Sequence, residues 1–221
     1  MRIKYANVFS CQLMATKAAP HNKRKRRSPE AAPGSKRERT RAALIGAAAR
    51  LIAEKGYHNI TLEDVAASVD MSRGAIYGNF RDRDELFMAV LESRWEPIIP
   101  QFKPGAPFRE QMAILAEAVI AAAPARRSAA LRALEFQIYA LTHPKMQAKL
   151  ERYSSEGYRL AEQGVLRFIP EASLPIPPAH FVRVLNALTE GLLFERFQSP
   201  REITDDVIRS AFAALAGGAP K

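Results

Sequence analysis

At 221 residues, 48% of them apolar, the chain is long enough for one large or two small domains with a substantial core. It contains no uninterrupted apolar run of 18 residues, which excludes a transmembrane helix, and residues 6–15 lack the apolar centre of a secretory signal. Cys11 is the single cysteine, so neither an internal disulfide nor a cysteine metal cluster can form, and a cytoplasmic setting without a metal or other cofactor is expected.

The formal net charge of +10 is unevenly placed. Residues 1–41 hold 12 Lys or Arg against 2 Asp or Glu, while residues 42–221 hold 21 of each. Most of that excess, 8 Lys or Arg against 1 Glu, lies in an N-terminal arm, residues 1–35, with Pro20, Pro29, Pro33 and the run Lys23-Arg24-Lys25-Arg26-Arg27. Such a composition predicts disorder. The arm suits added phosphate or minor-groove contacts, and equally a solvated tail. Met14 offers a second start that would omit the first 13 residues.

Beyond the arm the pattern is helical. Helices are expected at about 36–55, 62–69, 73–79, 83–100, 107–123, 126–142, 145–168, 178–197 and 202–216. Gly56, Pro104, Pro124, Pro144, Pro170 and Pro200 punctuate them. No alternating strand pattern and no repeat of fixed period is present. The expected fold is all-α: a three-helix head at 36–82 and a helical bundle at 83–216.

Residues 61–80 are the most informative stretch. Thr61 is a good N-cap, with Asp64 at the capping-box position and Glu63 in the first turn. Leu62, Val65, Ala66 and Val69 form one apolar stripe. Asp70 and Met71 then break the helix, and Asp tolerates a left-handed backbone. Ser72 can cap a second helix in which only Ile76 and Phe80 look like core anchors. Arg73, Gly74, Ala75 and Gly78 give that helix small or cationic surface. Small residues let a backbone approach the major groove, and Arg73, Tyr77 and Asn79 offer donors to bases or phosphates. The pattern also suits an ordinary polar surface helix.

The run from Arg39 to about Trp95 resembles the DNA-binding module of the tetracycline-repressor (TetR) family. The resemblance rests on Ala47, Ala48, Leu51 and Ile52, then Glu54-Lys55-Gly56-Tyr57 and Thr61-Leu62-Glu63-Asp64-Val65-Ala66. It continues through Ser72-Arg73-Gly74-Ala75-Ile76-Tyr77 and Asn79-Phe80, then Arg83 and Leu86. It implies that Thr61, Tyr77, Asn79 and Arg83 touch phosphates. It also implies that Ser72, Arg73, Gly74 and Ala75 face base edges or the adjacent backbone. Asp70 stands where the family usually has Gly, Asn79 where His is common, and Arg83 where Lys is common.

The fourth helix carries two apolar stripes, Leu86-Ala89-Val90 and Phe87-Leu91-Trp95. It is expected to pack on the head with one and on the bundle with the other. The last two helices are striped by Phe181, Val184, Leu185, Leu188 and Leu192, with Gly191, and by Val207, Ile208, Ala211, Phe212 and Leu215. Each of these residues suits an internal core. The resemblance implies a four-helix dimer interface built from Phe181, Leu185, Leu188, Gly191, Leu192, Ile208, Phe212 and Leu215. Trp95, Phe102, Phe108, Met112, Phe136, Tyr139, Met146, Tyr153 and Tyr158 suit either plain core or an apolar effector pocket, with Tyr139 or Glu135 as a polar handle.

The four His residues are scattered, and no phosphate-loop, G-x-S-x-G or H-E-x-x-H pattern occurs, so no enzyme activity is expected. The sequence thus predicts a homodimeric transcription regulator, most simply a repressor, released from a palindromic operator in double-stranded DNA by a small apolar effector. The alternative is a sequence-tolerant architectural DNA-binding protein driven by the basic arm.

Overall fold

A computed structural model of the chain describes residues 35–94 and 98–217. The basic arm up to residue 34, and Trp95 with its proposed place in the pocket, lie outside the described residues. All regular structure among the described residues is helical, and two compact units divide between Ser93 and Arg94.

The head begins with α1, Lys36–Lys55. Ser35 and Glu38 cap it reciprocally: the Glu38 N–H donates to Ser35 Oγ at 3.3 Å and the Ser35 N–H to Glu38 Oε2 at 2.7 Å. Gly56 stops it at φ 75°, a left-handed conformation that side chains resist, and its N–H closes on the Ile52 carbonyl. A 3-10 turn at Tyr57–Asn59 leads to α2, Leu62–Ala67, then α3, Arg73–Tyr77, and α4, Arg83–Arg94. Leu44, Ile52, Ile60, Val65, Ile76, Phe80, Leu86 and Phe87 are all buried to within 1% of their surface. Full burial of such a side chain contributes roughly 1.5–3 kcal/mol, so these eight anchors hold the two very short helices α2 and α3 between α1 and α4.

Two expectations about α4 are revised. Residues 98–100, expected in its last turn, are not helical. The helix belongs to the head by compactness rather than to the bundle. Leu86, Ala89 and Val90 of one stripe and Phe87 and Leu91 of the other are buried, and Phe87 meets Tyr57 of the head edge-on at 5.1 Å between ring centroids.

The second unit contains α5, Phe108–Thr142, α6, Pro144–Val165, a 3-10 turn at Glu171–Ser173, α7, Pro178–Gln198, and α8, Asp205–Gly217. α5 packs on α6, α7 and, most extensively, α8. The expected helices 107–123 and 126–142 are one helix running through Pro124. A proline inside a helix removes one backbone bond and costs about 3 kcal/mol. Burial of Met112, Leu115, Val119 and Ala123 before it, and of Phe136, Tyr139 and Ala140 after it, outweighs that cost, while Pro124 itself faces solvent.

That fusion separates the expected effector pocket. Phe102 and Met112 lie in the bundle core, and Phe102 meets Phe168 at 5.7 Å. Phe136 and Tyr139 are buried farther along α5, where Tyr139 stacks on His143 at 4.0 Å. At 1.5 Å per residue, Met112 and Phe136 are roughly 36 Å apart along one helix, too far to enclose one small ligand. Glu135 and Tyr153 are half-buried. An open cleft of about 580 Å³ lies elsewhere, lined by Pro107, Phe108, Leu166, Arg167, Phe168 and Ser173 among others. Of the expected pocket residues only Phe108 lines it.

The expected dimer stripe is corrected too. Phe181, Leu185, Ile208 and Phe212 are 0–3% exposed inside the core of the single chain, so they have no surface left to give a partner. Leu188, Leu192 and Leu215 are half-buried at the edge of that core, and Gly191 is exposed. The outward apolar face of α7 runs instead through Val184, Ala187, Leu188, Gly191 and Phe194, with Val184 42% and Phe194 38% exposed. On α8 Val207 is exposed.

Candidate nucleic-acid interface

α2 starts where the sequence dictates. The Asp64 N–H donates to Thr61 Oγ1 at 3.1 Å, the Thr61 N–H donates to Asp64 Oδ2 at 2.9 Å, and the Thr61 hydroxyl donates to the same oxygen at 2.6 Å. These bonds, the hydroxyl first, hold the Asp64 carboxyl below its ordinary range. α2 ends in a Schellman arrangement: Met71 N–H to the Ala66 carbonyl at 2.9 Å and Asp70 N–H to the Ala67 carbonyl at 3.2 Å. Asp70 takes φ 53°, the one positive φ outside glycine among the described residues, as its place in the turn predicted. Ser72 then caps α3, accepting the Ala75 N–H at 3.2 Å.

α3 shows two sides. Ile76 is fully buried and Phe80, just beyond the helix, is 1% exposed. Arg73, Gly74 and Tyr77 face solvent, with the Arg73 side chain 76% and Tyr77 47% exposed. Ala75 is half-buried between the two sides. A five-residue helix this thin on its outer face exposes backbone and two long donors together. Acceptors on base edges and phosphates are what such a surface can bind.

Two groups the sequence reading passed over organise this face. Glu63, read there only as a helix-dipole residue, accepts the Arg73 guanidinium at 2.9 Å and the Tyr77 hydroxyl at 2.9 Å on the same Oε1. The phenol hydrogen bond, ahead of the guanidinium, holds the Glu63 carboxyl below its ordinary range. On the other side, Arg37 and Arg41 of α1 donate to the carbonyls of Gly78 and Asn79, at 3.3 and 2.8 Å, and Arg41 lies 4.2 Å from the Phe80 ring centre. Cations at these carbonyls complement the negative end of α3. Their i, i+4 spacing on α1 was visible in sequence, whereas nothing in spacing marked Glu63.

The two remaining expected phosphate contacts point inward. Asn79 donates its amide to the Ala75 carbonyl at 2.8 Å, and its Oδ1 is buried. Arg83 donates to the Ile60 carbonyl at 3.4 Å and lies 5.5 Å from the Phe87 ring centre, tying α4 to the segment before α2.

Two short capped helices joined by a left-handed turn, the second with a donor-bearing outer face and a buried inner one, define a helix-turn-helix DNA-binding regulator. Residues 44–90 match the family model of the bacterial regulatory proteins of the tetR family. Over 168 residues the chain is 26% identical to the HTH-type transcriptional regulator SrpR of Pseudomonas putida, covering 73% of this chain and 77% of that protein. A shorter match, 41% over 59 residues, is to TtgR of Pseudomonas putida and spans 27% of this chain and 28% of TtgR. The fold is shared with Salmonella enterica GusR, at TM-score 0.58 and 19% identity over 83% of this chain and 98% of that one. It is shared as well with NalD, the secondary repressor of the MexAB-OprM multidrug efflux pump in Pseudomonas aeruginosa, at TM-score 0.51 and 23% identity over 82% and 96%.

Proposed function

We propose that the chain is a homodimeric repressor that sets α3 of each subunit into the major groove of a palindromic operator and leaves it when a small, largely apolar molecule binds the helical unit. The observation that carries this reading is the outer face of α3, where Arg73, Gly74 and Tyr77 stand exposed on a helix anchored from behind by Ile76 and Phe80. Thr61 and Ser72, exposed at the two helix starts, flank that face for phosphate contact. The repressor part draws on NalD, which represses an efflux pump. For the effector, the cleft beside Phe108 and Phe168 has a volume suited to a drug-sized ligand. Release requires that this ligand favour the DNA-free form by a coupling of about 1–3 kcal/mol. α4, the last helix of the head, is the covalent route between the units.

The experiment is an operator titration with wild type and Arg73→Ala. Loss of a base contact weakens binding by about 1–3 kcal/mol and relaxes preference at one base pair of each half-site. Unchanged affinity and preference would remove Arg73 from the reading role. The concentration of all excess charge before residue 42 favours one second reading, a sequence-tolerant DNA-coating protein driven by the arm. Deleting residues 1–34 tests the arm. A flatter salt dependence of binding assigns it to DNA, and identical slopes make it a passive tail.

A further inference from the structure

Arg73 poses a problem for a base-reading residue. Its side chain is three-quarters exposed, and a free arginine has about 2 kcal/mol of rotamer entropy and reaches phosphates as readily as bases. An arginine that wanders supplies affinity for any DNA and discriminates little, because phosphate contacts carry no sequence information directly. In this structure it has a partner on the same face. One carboxylate oxygen of Glu63 takes Arg73 Nη2 and the Tyr77 hydroxyl together, each at 2.9 Å, and the guanidinium carbon lies 5.9 Å from the Tyr77 ring centre. Glu63 in turn stands in the first turn of α2, whose start is fixed by the Thr61–Asp64 cap. The three groups join the two helices of the motif across its outer face.

We propose that Glu63 is a specificity-determining positioning residue, which orients the Arg73 guanidinium toward one base pair and withholds it from phosphates. The inference rests on the reading that Arg73 addresses a base. A guanidinium held along one edge keeps its remaining N–H groups for a guanine, whose O6 and N7 accept side by side in the major groove. The carboxylate adds a second effect of the same sign. A fixed negative charge on the docking face repels phosphates, so it weakens binding to unrelated DNA. Glu63 therefore raises the ratio of specific to non-specific affinity without itself needing to touch a base.

Full-length protein is used to select an operator from a pool of randomised duplex DNA. Wild type, Glu63→Ala, Glu63→Gln and Arg73→Ala are then titrated on that duplex, on each of its single base-pair variants and on an unrelated duplex. Glu63→Ala is expected to lower discrimination about tenfold at the base pair whose preference Arg73→Ala abolishes, and at no other. Its affinity for unrelated DNA is expected to rise. Glu63→Gln, which keeps an acceptor, restores part of the discrimination. Discrimination in Glu63→Ala within twofold of wild type would overturn the inference while leaving Arg73 as the reader. So would a uniform loss at every position, the signature of a merely structural role. No base-specific effect of Arg73→Ala would overturn the reading beneath it and the inference together.

Discussion

Asp70 shows how a single residue can carry a turn against its own preference. The backbone after α2 must turn through a left-handed conformation so that Met71 and Asp70 can close on the carbonyls of Ala66 and Ala67. Glycine meets that demand without strain, and Asp meets it at a modest cost. Asp70→Gly is therefore expected to stabilise the head by about 0.5–1 kcal/mol, less the added freedom of the unfolded chain. Urea denaturation checks this, and a destabilised variant would mean that the Asp side chain is needed in the turn. Asp70 was legible because its turn role follows from its place between two apolar patterns. Asn79 was less so. The sequence showed a donor, but only the backbone shows that the amide closes on its own helix, at the Ala75 carbonyl.

At the scale of elements, caps proved more readable than continuity. Thr61 and Ser72 start α2 and α3 as their spacing predicted, because a cap is a local arrangement of side chain and N–H. Removing the first, Thr61→Ala, is expected to cost about 1 kcal/mol at neutral pH. The variant should also respond differently to acid. The folded state depresses the Asp64 carboxyl, so its contribution is present at neutral pH and is lost as pH falls below the ordinary Asp value of about 3.9. Without the Thr61 hydroxyl that loss shrinks, and the stability difference between wild type and variant narrows in acid. Denaturation curves at neutral pH and near pH 3 would show it. A constant difference would mean the cap acts without Asp64. The reading of Pro124 failed for the opposite reason. Whether a proline ends a helix depends on what the flanking arms bury, and the burial of Val119 and Phe136 on either side is a tertiary fact.

At the scale of the molecule, the all-helical fold and the reading head were legible, because short capped helices carry their own signals. The faces of the long helices were not. An apolar stripe says that one side is buried without saying by which partner, and α7 has apolar residues on two sides. The structure separates them: Phe181 and Phe212 serve the single chain, while Val184 and Phe194 face outward. Phe212→Ala is accordingly expected to destabilise the subunit by about 3–5 kcal/mol. Phe194→Glu should leave its fold intact and shift a dimer toward monomer in sedimentation. A Phe194→Glu protein that stays dimeric would place the interface elsewhere.

The central claim is that two copies of α3 read one symmetric site. A hydroxyl-radical footprint on the DNA upstream of this protein's own coding region tests it most directly. The account predicts a single short protected palindrome, its half-sites about one helical turn or somewhat more apart, roughly 34–36 Å or beyond, and lost in Arg73→Ala. Continuous protection without boundaries, unchanged by Arg73→Ala and abolished by removing residues 1–34, would contradict it.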